Sequence, residues 1–175
     1  MSQQKIHFQV ETPLYCGGFN AKKAELRAAS IKGMLRYWYR AIQPELKKER
    51  EIFGSVDGQS LFRLHIDAYQ KEINKNSRYF SRNISPGEKF TLNLQILPNK
   101  QYIRRDVFVS LWLMTTIGGL GARCRRGYGT LSIQQIDGRL PETAFFFRQV
   151  DSIEEWIEHV REGLKQCWQW YRTDQ

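Results

Sequence analysis

The sequence lacks the features that would direct a chain to a membrane, an oxidising compartment or a metal. No apolar run approaches the ~18 residues that span a bilayer. The opening Met1-Ser2-Gln3-Gln4-Lys5-Ile6-His7-Phe8 has no signal-peptide core. Cysteine is scarce: Cys16, Cys124 and Cys167 are odd in number and far apart. With no CxxC pair they indicate neither a disulfide framework nor a structural zinc. His7, His65 and His159 are equally scattered. No HExxH, no Ser/His/Asp motif and no close carboxylate pair with a histidine is visible. These absences predict an intracellular, cytoplasmic protein with no membrane partner, no metal and no cofactor.

What the sequence has is positive charge. Its 27 Lys+Arg against 18 Asp+Glu leave a net +9, which suits a polyanion, nucleic acid first. The excess is uneven. Residues 20–50 hold nine Lys/Arg and three Glu, residues 100–129 six Lys/Arg and one Asp, and residues 140–175 four Lys/Arg and seven Asp/Glu. Two basic stretches therefore precede an acidic C-terminal segment. A length of 175 residues with 41% hydrophobic and 26% charged side chains predicts one globular domain over 1–175. A core of that size needs no disulfide or metal.

Periodicity orders the elements. Ile6, Phe8 and Val10 alternate with polar residues as a half-buried strand. Thr12 to Ala29 reads as a loop, after which Ser30 can cap a helix. Ile31, Met34, Leu35, Trp38 and Ile42 form that helix's apolar face, and Gln43-Pro44 ends it. Residues 51–55 read as a connector. Phe62, Leu64, Ile66 and Ala68 mark a second strand, and Lys71 to Gly87 reads as a polar loop or exposed hairpin. Phe90, Leu92, Leu94 and Ile96 give a third strand. Arg104 to Thr116 is a second helix with a stripe of Val107, Phe108, Leu111 and Met114, and Leu131 and Ile133 mark a fourth strand. Over about 152–172, Ile153, Trp156, Ile157, Val160, Leu164, Cys167, Trp168 and Tyr171 keep helical spacing. That makes Cys167 a small core residue. The order β-α-β-β-α-β plus a C-terminal helix is the α+β, ferredoxin-like (RRM-like) arrangement, with a four-stranded antiparallel sheet.

Three segments point to an anionic ligand. At the start of the first helix, Lys32, Arg36 and Arg40 stack four residues apart. With Ser30 and the free N–H groups there they make a phosphate site. Gly33 costs the helix ~1 kcal/mol against Ala, which suggests close approach of a ribose-phosphate or a packed loop. The second segment, Gly118 to Gly129, is neither a Rossmann fingerprint nor a P-loop. It joins Gly119, Gly121, Gly127 and Tyr128 to Arg123, Arg125 and Arg126. Glycines let backbone N–H groups approach phosphates, and arginines fork onto phosphates and stack on bases. Third, Arg104 and Arg105 open the second helix against its dipole. Tyr37, Tyr39 and Tyr128 lie among the arginines and can stack bases or pack; Tyr15, Phe19 and Phe53 are open to the same two readings.

At these residues the chain resembles the RAMP superfamily of CRISPR effector proteins. Ser30-Ile31-Lys32-Gly33-Met34-Leu35-Arg36 is similar to its helix-start motif. Gly119-Leu120-Gly121 with Gly127-Tyr128-Gly129 is similar to its glycine-rich loop before the last strand. Thr12-Pro13-Leu14-Tyr15-Cys16-Gly17-Gly18, Glu25-Leu26-Arg27 and Arg36-Tyr37-Trp38-Tyr39-Arg40 are similar to the first-subunit family of the Cmr (type III-B) complex. The resemblance covers residues 5 to about 135. It implies a guide-RNA (crRNA)-binding, non-catalytic subunit of a type III effector complex in antiviral defence. Its partners would be crRNA, target RNA and other subunits. The family's RNA-cutting subunits use an aspartate between first strand and first helix, whereas here Thr12 to Ala29 contains only Glu25 as an acid. Members of this subunit family commonly carry two RAMP-like domains, and this chain has room for one.

Two other readings follow from the residues. In the first, the chain is a metal-independent RAMP-type endoribonuclease that processes guide precursors, with His7, His65 or Tyr15 as acid or base. In the second, it is a protein–protein adaptor docking through the aromatic C-terminal helix. Exposure of Trp156 and Trp168 would favour the adaptor; the expectation is that both are buried.

Overall fold

A computed structural model describes residues 3–18, 24–67, 83–138 and 143–172. The elements are β1 (Gln3–Val10), β2 (Leu14–Tyr15), α1 (Ala28–Ile42), α2 (Leu46–Phe53), β3 (Phe62–Ile66), β4 (Asn83–Ile84), β5 (Lys89–Ile96), α3 (Arg104–Thr116), β6 (Leu131–Asp137) and α4 (Ile153–Arg172), with short 3-10 turns between some of them. The main sheet has the order β3-β5-β1-β6. Each neighbouring pair is antiparallel, with His7 opposite Thr91 and Leu64 opposite Leu94. This is the expected ferredoxin-like sheet.

Strand alternation sets its two faces. Ile6, Phe8, Val10, Phe90, Leu92, Leu94 and Ile96 are buried beneath the helices. The other face presents Lys5, His7, Thr91, Asn93, Arg63 and His65, residues that alternate with the buried set. It carries no Phe, Tyr or Trp in β1, β3 or β5, so it lacks the large aromatic rings on which RRM domains stack bases; its only rings there are His7 and His65.

Several local expectations change. Helix α1 begins at Ala28 behind Arg27 as N-cap, with no side-chain cap. Ser30 therefore lies inside the first turn and does not cap. The helix stops where expected, with the Gln43 N–H donating to the Tyr39 carbonyl ahead of Pro44. Of the supposed connector at 51–55, residues 51–53 are the last turn of α2, and Gly54 is its C-cap. Inside the expected Thr12–Ala29 loop, Leu14–Tyr15 pairs with Asn83–Ile84 as a small second sheet. Ala68, Phe19 and positions 71–82 of the expected Lys71–Gly87 loop lie outside the described residues.

Helix α3 is buried on every side from Val107 to Met114, because the sheet, α1 and α4 enclose it. Tyr39 is buried too, 5.4 Å from the Phe53 ring and 6.4 Å from Tyr171. Desolvation pushes its hydroxyl pKa well up, so this tyrosine packs the core.

The C-terminal helix has the expected bounds but not the expected core face. Cys167 is buried, as anticipated, and burial raises its thiol to about 12. The other buried positions are His159, Gly163 and Tyr171. Trp156 and Trp168 are 44% and 59% exposed, overturning their expected burial. The reason is local. Gly163 lets α4 lie directly on Trp112, whose ring carbons would be 2.5 Å from a Cβ at that position. His159 Nε2 sits 3.4 Å from Trp112 Nε1 and 3.3 Å from the Phe146 carbonyl. Among the described residues, no helix is long and apolar enough to cross a membrane.

Candidate nucleic-acid interface

The basic side of α1 forms one wall of an open groove. The other wall is α2 and the loop through Gly54, Asp57 and Ser60. Lys32, Arg36 and Arg40 project into it at four-residue spacing. A Cβ added at Gly33 would meet nothing within 4 Å. Among the described residues no packed loop explains this glycine, which leaves bare helix backbone facing the groove.

The two arginines are not loose. Glu49, buried on α2, takes the Arg36 guanidinium on one carboxylate oxygen and Arg40 Nε at 2.6 Å on the other. Arg36 Nη2 also donates to the Gly54 carbonyl. Burial opposes charge on Glu49, but the hydrogen bond from Arg40 and the positive charge of Arg36 outweigh it and hold the carboxyl below its ordinary range. The same hydrogen bond raises Arg40. Lys32 Nζ lies 5.1 Å from the Phe62 ring centroid and has no carboxylate within ion-pair distance among the described residues. Burial and the nearby Arg36 charge lower its pKa.

The glycine-rich loop is a built structure rather than a flexible turn. Leu120 N–H donates to the Gly129 carbonyl, Ala122 N–H to Tyr15 and Gly129 N–H to Pro13. Gly121 and Gly129 have φ of 83° and 69°, where a side chain would also strike the backbone of Tyr15 and Leu120 respectively. At Gly119 a Cβ would crowd Cys124, Gly129 and Tyr128 at 3.1 Å. These glycines serve close packing first. Gly127 is open on all sides.

That packing fixes three exposed cations. Arg123 lies 5.2 Å from the Tyr15 ring, which meets Tyr128 edge-on at 5.2 Å. Arg125 lies 5.9 Å from the ring of Tyr37 on α1, joining loop to helix. Arg126 is exposed beside them. None of the three has a carboxylate within ion-pair distance among the described residues. The structure thus brings the loop arginines, Tyr37, Gly33, Lys32 and Arg36 onto one continuous surface.

It does not bring Arg104 and Arg105 there. Helices α1 and α3 follow the antiparallel strands β1 and β5, so they start at opposite ends of the sheet. Arg105 lies 5.3 Å and 5.8 Å from the rings of Trp170 and Tyr171, and Arg104 donates to Gln101 at 2.7 Å. Arg105 thus belongs to the seam where α4 docks, and Arg104 to the turn that opens α3. Sequence reasoning missed Glu49 because it read α2 as part of a charge run. The signal was present: Leu46 to Phe53 follows Pro44 with strong helix formers and ends in Ile52-Phe53.

On the far face of the sheet, His7 Nε2 is 3.1 Å from Asp137 Oδ2 and Nδ1 is 3.0 Å from Thr91 Oγ1. The hydrogen bond from His7 lowers the Asp137 carboxyl. His65 is on that same face, and Tyr15 lies in the loop cluster across the sheet. Among the described residues, no group of three His, Cys, Asp or Glu could hold a metal ion.

The profile of the RAMP superfamily matches residues 7–132. The chain belongs to this superfamily. Among relatives of this RAMP chain, Cmr subunit Cmr1-2 of a CRISPR system in Pyrococcus furiosus is 27% identical, the match covering 71% of this chain and 91% of that protein. Cmr1-1 of the same organism is 28% identical over 80% of this chain and 50% of that protein. The solved structure of P. furiosus Cmr1 without ligand superposes with a TM-score of 0.72 at 22% identity, over 95% of this chain and 60% of that one. A chain of the type III-B Cmr-beta assembly bound to cognate target RNA gives 0.73 at 14% identity, over 95% and 62%. The chain therefore spans half the length of Cmr1-1 and about three fifths of the solved Cmr1 chain, while Cmr1-2 is matched over nearly its whole length.

Proposed function

We propose that this RAMP chain is a non-catalytic, crRNA-binding subunit of a type III-B CRISPR effector complex in antiviral defence, working as one RAMP domain alongside other subunits and target RNA. The observation that carries this reading is the surface joining three exposed loop arginines, through the Arg125–Tyr37 contact, to the bare backbone at Gly33 and to Lys32. Backbone open beside unpaired cations suits a ribose-phosphate chain, whose charges such cations neutralise. The relatives named as Cmr subunits support the assembly. Arg104 and Arg105 are left out of the interface, because α3 starts at the other end of the sheet, where Arg105 packs on α4 and Arg104 holds Gln101.

The test is single-stranded RNA binding across a salt series. Each phosphate contact adds ~−0.7 to the log–log slope, so Lys32→Ala with Arg125→Ala should flatten it by about 1.4. Affinity should fall uniformly across RNA sequences. An unchanged slope would remove this surface from the interface.

The His7–Asp137 contact gives the endoribonuclease reading its one specific observation, since a carboxylate orients a catalytic imidazole in this way. The pair lies on the sheet face opposite the basic groove, and RNA held in that groove would be out of its reach. Labelled guide precursor incubated with the protein in EDTA should therefore stay intact. Site-specific cutting that disappears in His7→Ala would establish the nuclease instead.

A further inference from the structure

Helix α4 carries a second apolar surface that the fold leaves uncovered. Ile153, Trp156, Ile157, Leu164 and Trp168 are 72%, 44%, 46%, 43% and 59% exposed. At 3.6 residues per turn they form one stripe, running beside the buried face and along nearly the whole 20-residue helix. Monomeric proteins rarely leave so long an aromatic and aliphatic stripe in water. The charges along its outer border change sign. Glu154 and Glu158 come first, and Arg161, Lys165 and Arg172 follow towards the C-terminal end. Within one chain Arg161 pairs with Glu158, and Arg172 lies 3.7 Å from the Trp168 ring.

We propose that this stripe docks a second copy of the chain, with the two α4 helices antiparallel about a two-fold axis level with Glu162 and Gly163, the middle of the helix. An isologous contact requires a surface complementary to itself, and a helix acidic at one end and basic at the other is so only when its copy is reversed. Ile157 of one copy then packs beside Trp168 of the other, and Glu154 and Glu158 meet the other copy's Arg172 and Lys165. Charge also selects this face. Residues 140–175 are the acidic part of a chain of net +9, so contact there limits repulsion between copies, whereas contact through the arginine loop would maximise it. Two helices of this length bury roughly 1,000 Å² in total, the low end for a specific interface.

Sedimentation equilibrium on the full chain between ~1 and ~100 µM tests this. A concentration-dependent monomer–dimer equilibrium is expected. Trp168→Glu and Ile157→Glu should each give monomer with far-ultraviolet circular dichroism unchanged, and with the wild-type melting temperature at concentrations where wild type is also monomeric, because both side chains are already exposed. Orientation is tested by two charge variants. Glu154→Lys with Glu158→Lys makes the border wholly basic, and Arg161→Glu with Lys165→Glu and Arg172→Glu makes it wholly acidic. Each alone should be monomeric, and the two mixed should associate. Wild-type chain that stays monomeric across the range overturns the proposal, as does a Trp168→Glu chain that still dimerises. Charge variants that self-associate like wild type would overturn the antiparallel arrangement.

Discussion

Gly163→Leu should lower the melting temperature by ~10 °C, the largest effect expected from any single substitution in α4. A Cβ at this position would be 2.5 Å from Trp112 Cη2 and Cζ2 and 3.3 Å from Phe146. Trp112 is 1% exposed and packs 4.8 Å from the Phe146 ring, so it has nowhere to go. Overpacking of this kind costs ~1–3 kcal/mol and occasionally more, and at this chain length each kcal/mol shifts the melting temperature by ~2–4 °C. Gly163→Ala separates the two opposing terms. Alanine gains ~1 kcal/mol of helix propensity, yet its methyl already collides with the indole, so a net loss is expected. Leu164→Ala, one residue on, should change the melting temperature by less than ~2 °C at concentrations where the chain is monomeric, because Leu164 is on the outer stripe. Thermal unfolding followed by near-ultraviolet circular dichroism, which reports the Trp112 environment, measures all three.

The contrast between Gly163 and Leu164 shows where sequence reasoning succeeded and where it failed. Strand alternation in Ile6–Val10, Phe62–Ile66 and Phe90–Ile96 identified the inner face of the sheet correctly, because a period of two admits only two faces. In α4 the apolar residues occupy a broad arc, and periodicity cannot tell which part of a broad arc is covered. Hydrophobicity alone favoured Trp156, Leu164 and Trp168 as core. The fold instead chose the edge bearing Gly163, because only a residue without a side chain lets the helix backbone approach Trp112. A glycine in the middle of a helix was thus the informative signal there, as Gly33 was in α1, with opposite meaning. One is filled by an indole, and the other opens onto an empty groove.

The basic site was legible in composition but not in connectivity. Lys32, Arg36 and the loop arginines could be picked out by charge and glycine content. That Arg125 reaches Tyr37, or that Arg105 is spent against Trp170 and Tyr171, depends on contacts between residues far apart in the chain. Glu49 is the clearest case. In the sequence it is one acid in Lys47-Lys48-Glu49-Arg50, and only the turn of α2 places it between two arginines of α1.

Replacing Glu49 should therefore destabilise the fold and disorganise the groove together. Glu49→Ala removes the shared acceptor of Arg36 and Arg40 and leaves both guanidinium groups without their anion. Breaking a fully buried pair costs ~3–5 kcal/mol. Here the arginine side chains are 32% and 54% exposed, so water compensates part of the loss and about 2 kcal/mol is expected. Glu49→Gln keeps the shape and loses only the charge, and should fall between wild type and alanine. The pH dependence identifies the cause. Burial works against the Glu49 anion, and its two arginines more than offset this, leaving its folded pKa below the unfolded value. Its contribution is therefore complete above the ordinary carboxylate range and lost as pH falls through the folded pKa. In urea titrations the gap in stability between wild type and Glu49→Gln should be constant from neutral pH down to the unfolded carboxylate's ~4.3 and shrink as pH falls further, through the lowered folded pKa. A gap that persisted unchanged at acid pH would mean that Glu49 acts by packing and not by charge. RNA supplies a second readout, because phosphates can take the place of the missing carboxylate between Arg36 and Arg40. Single-stranded RNA should raise the melting temperature of Glu49→Ala more than that of wild type. An equal rise in both would place the RNA backbone away from these two arginines, leaving Lys32 and the glycine-rich loop as its contacts.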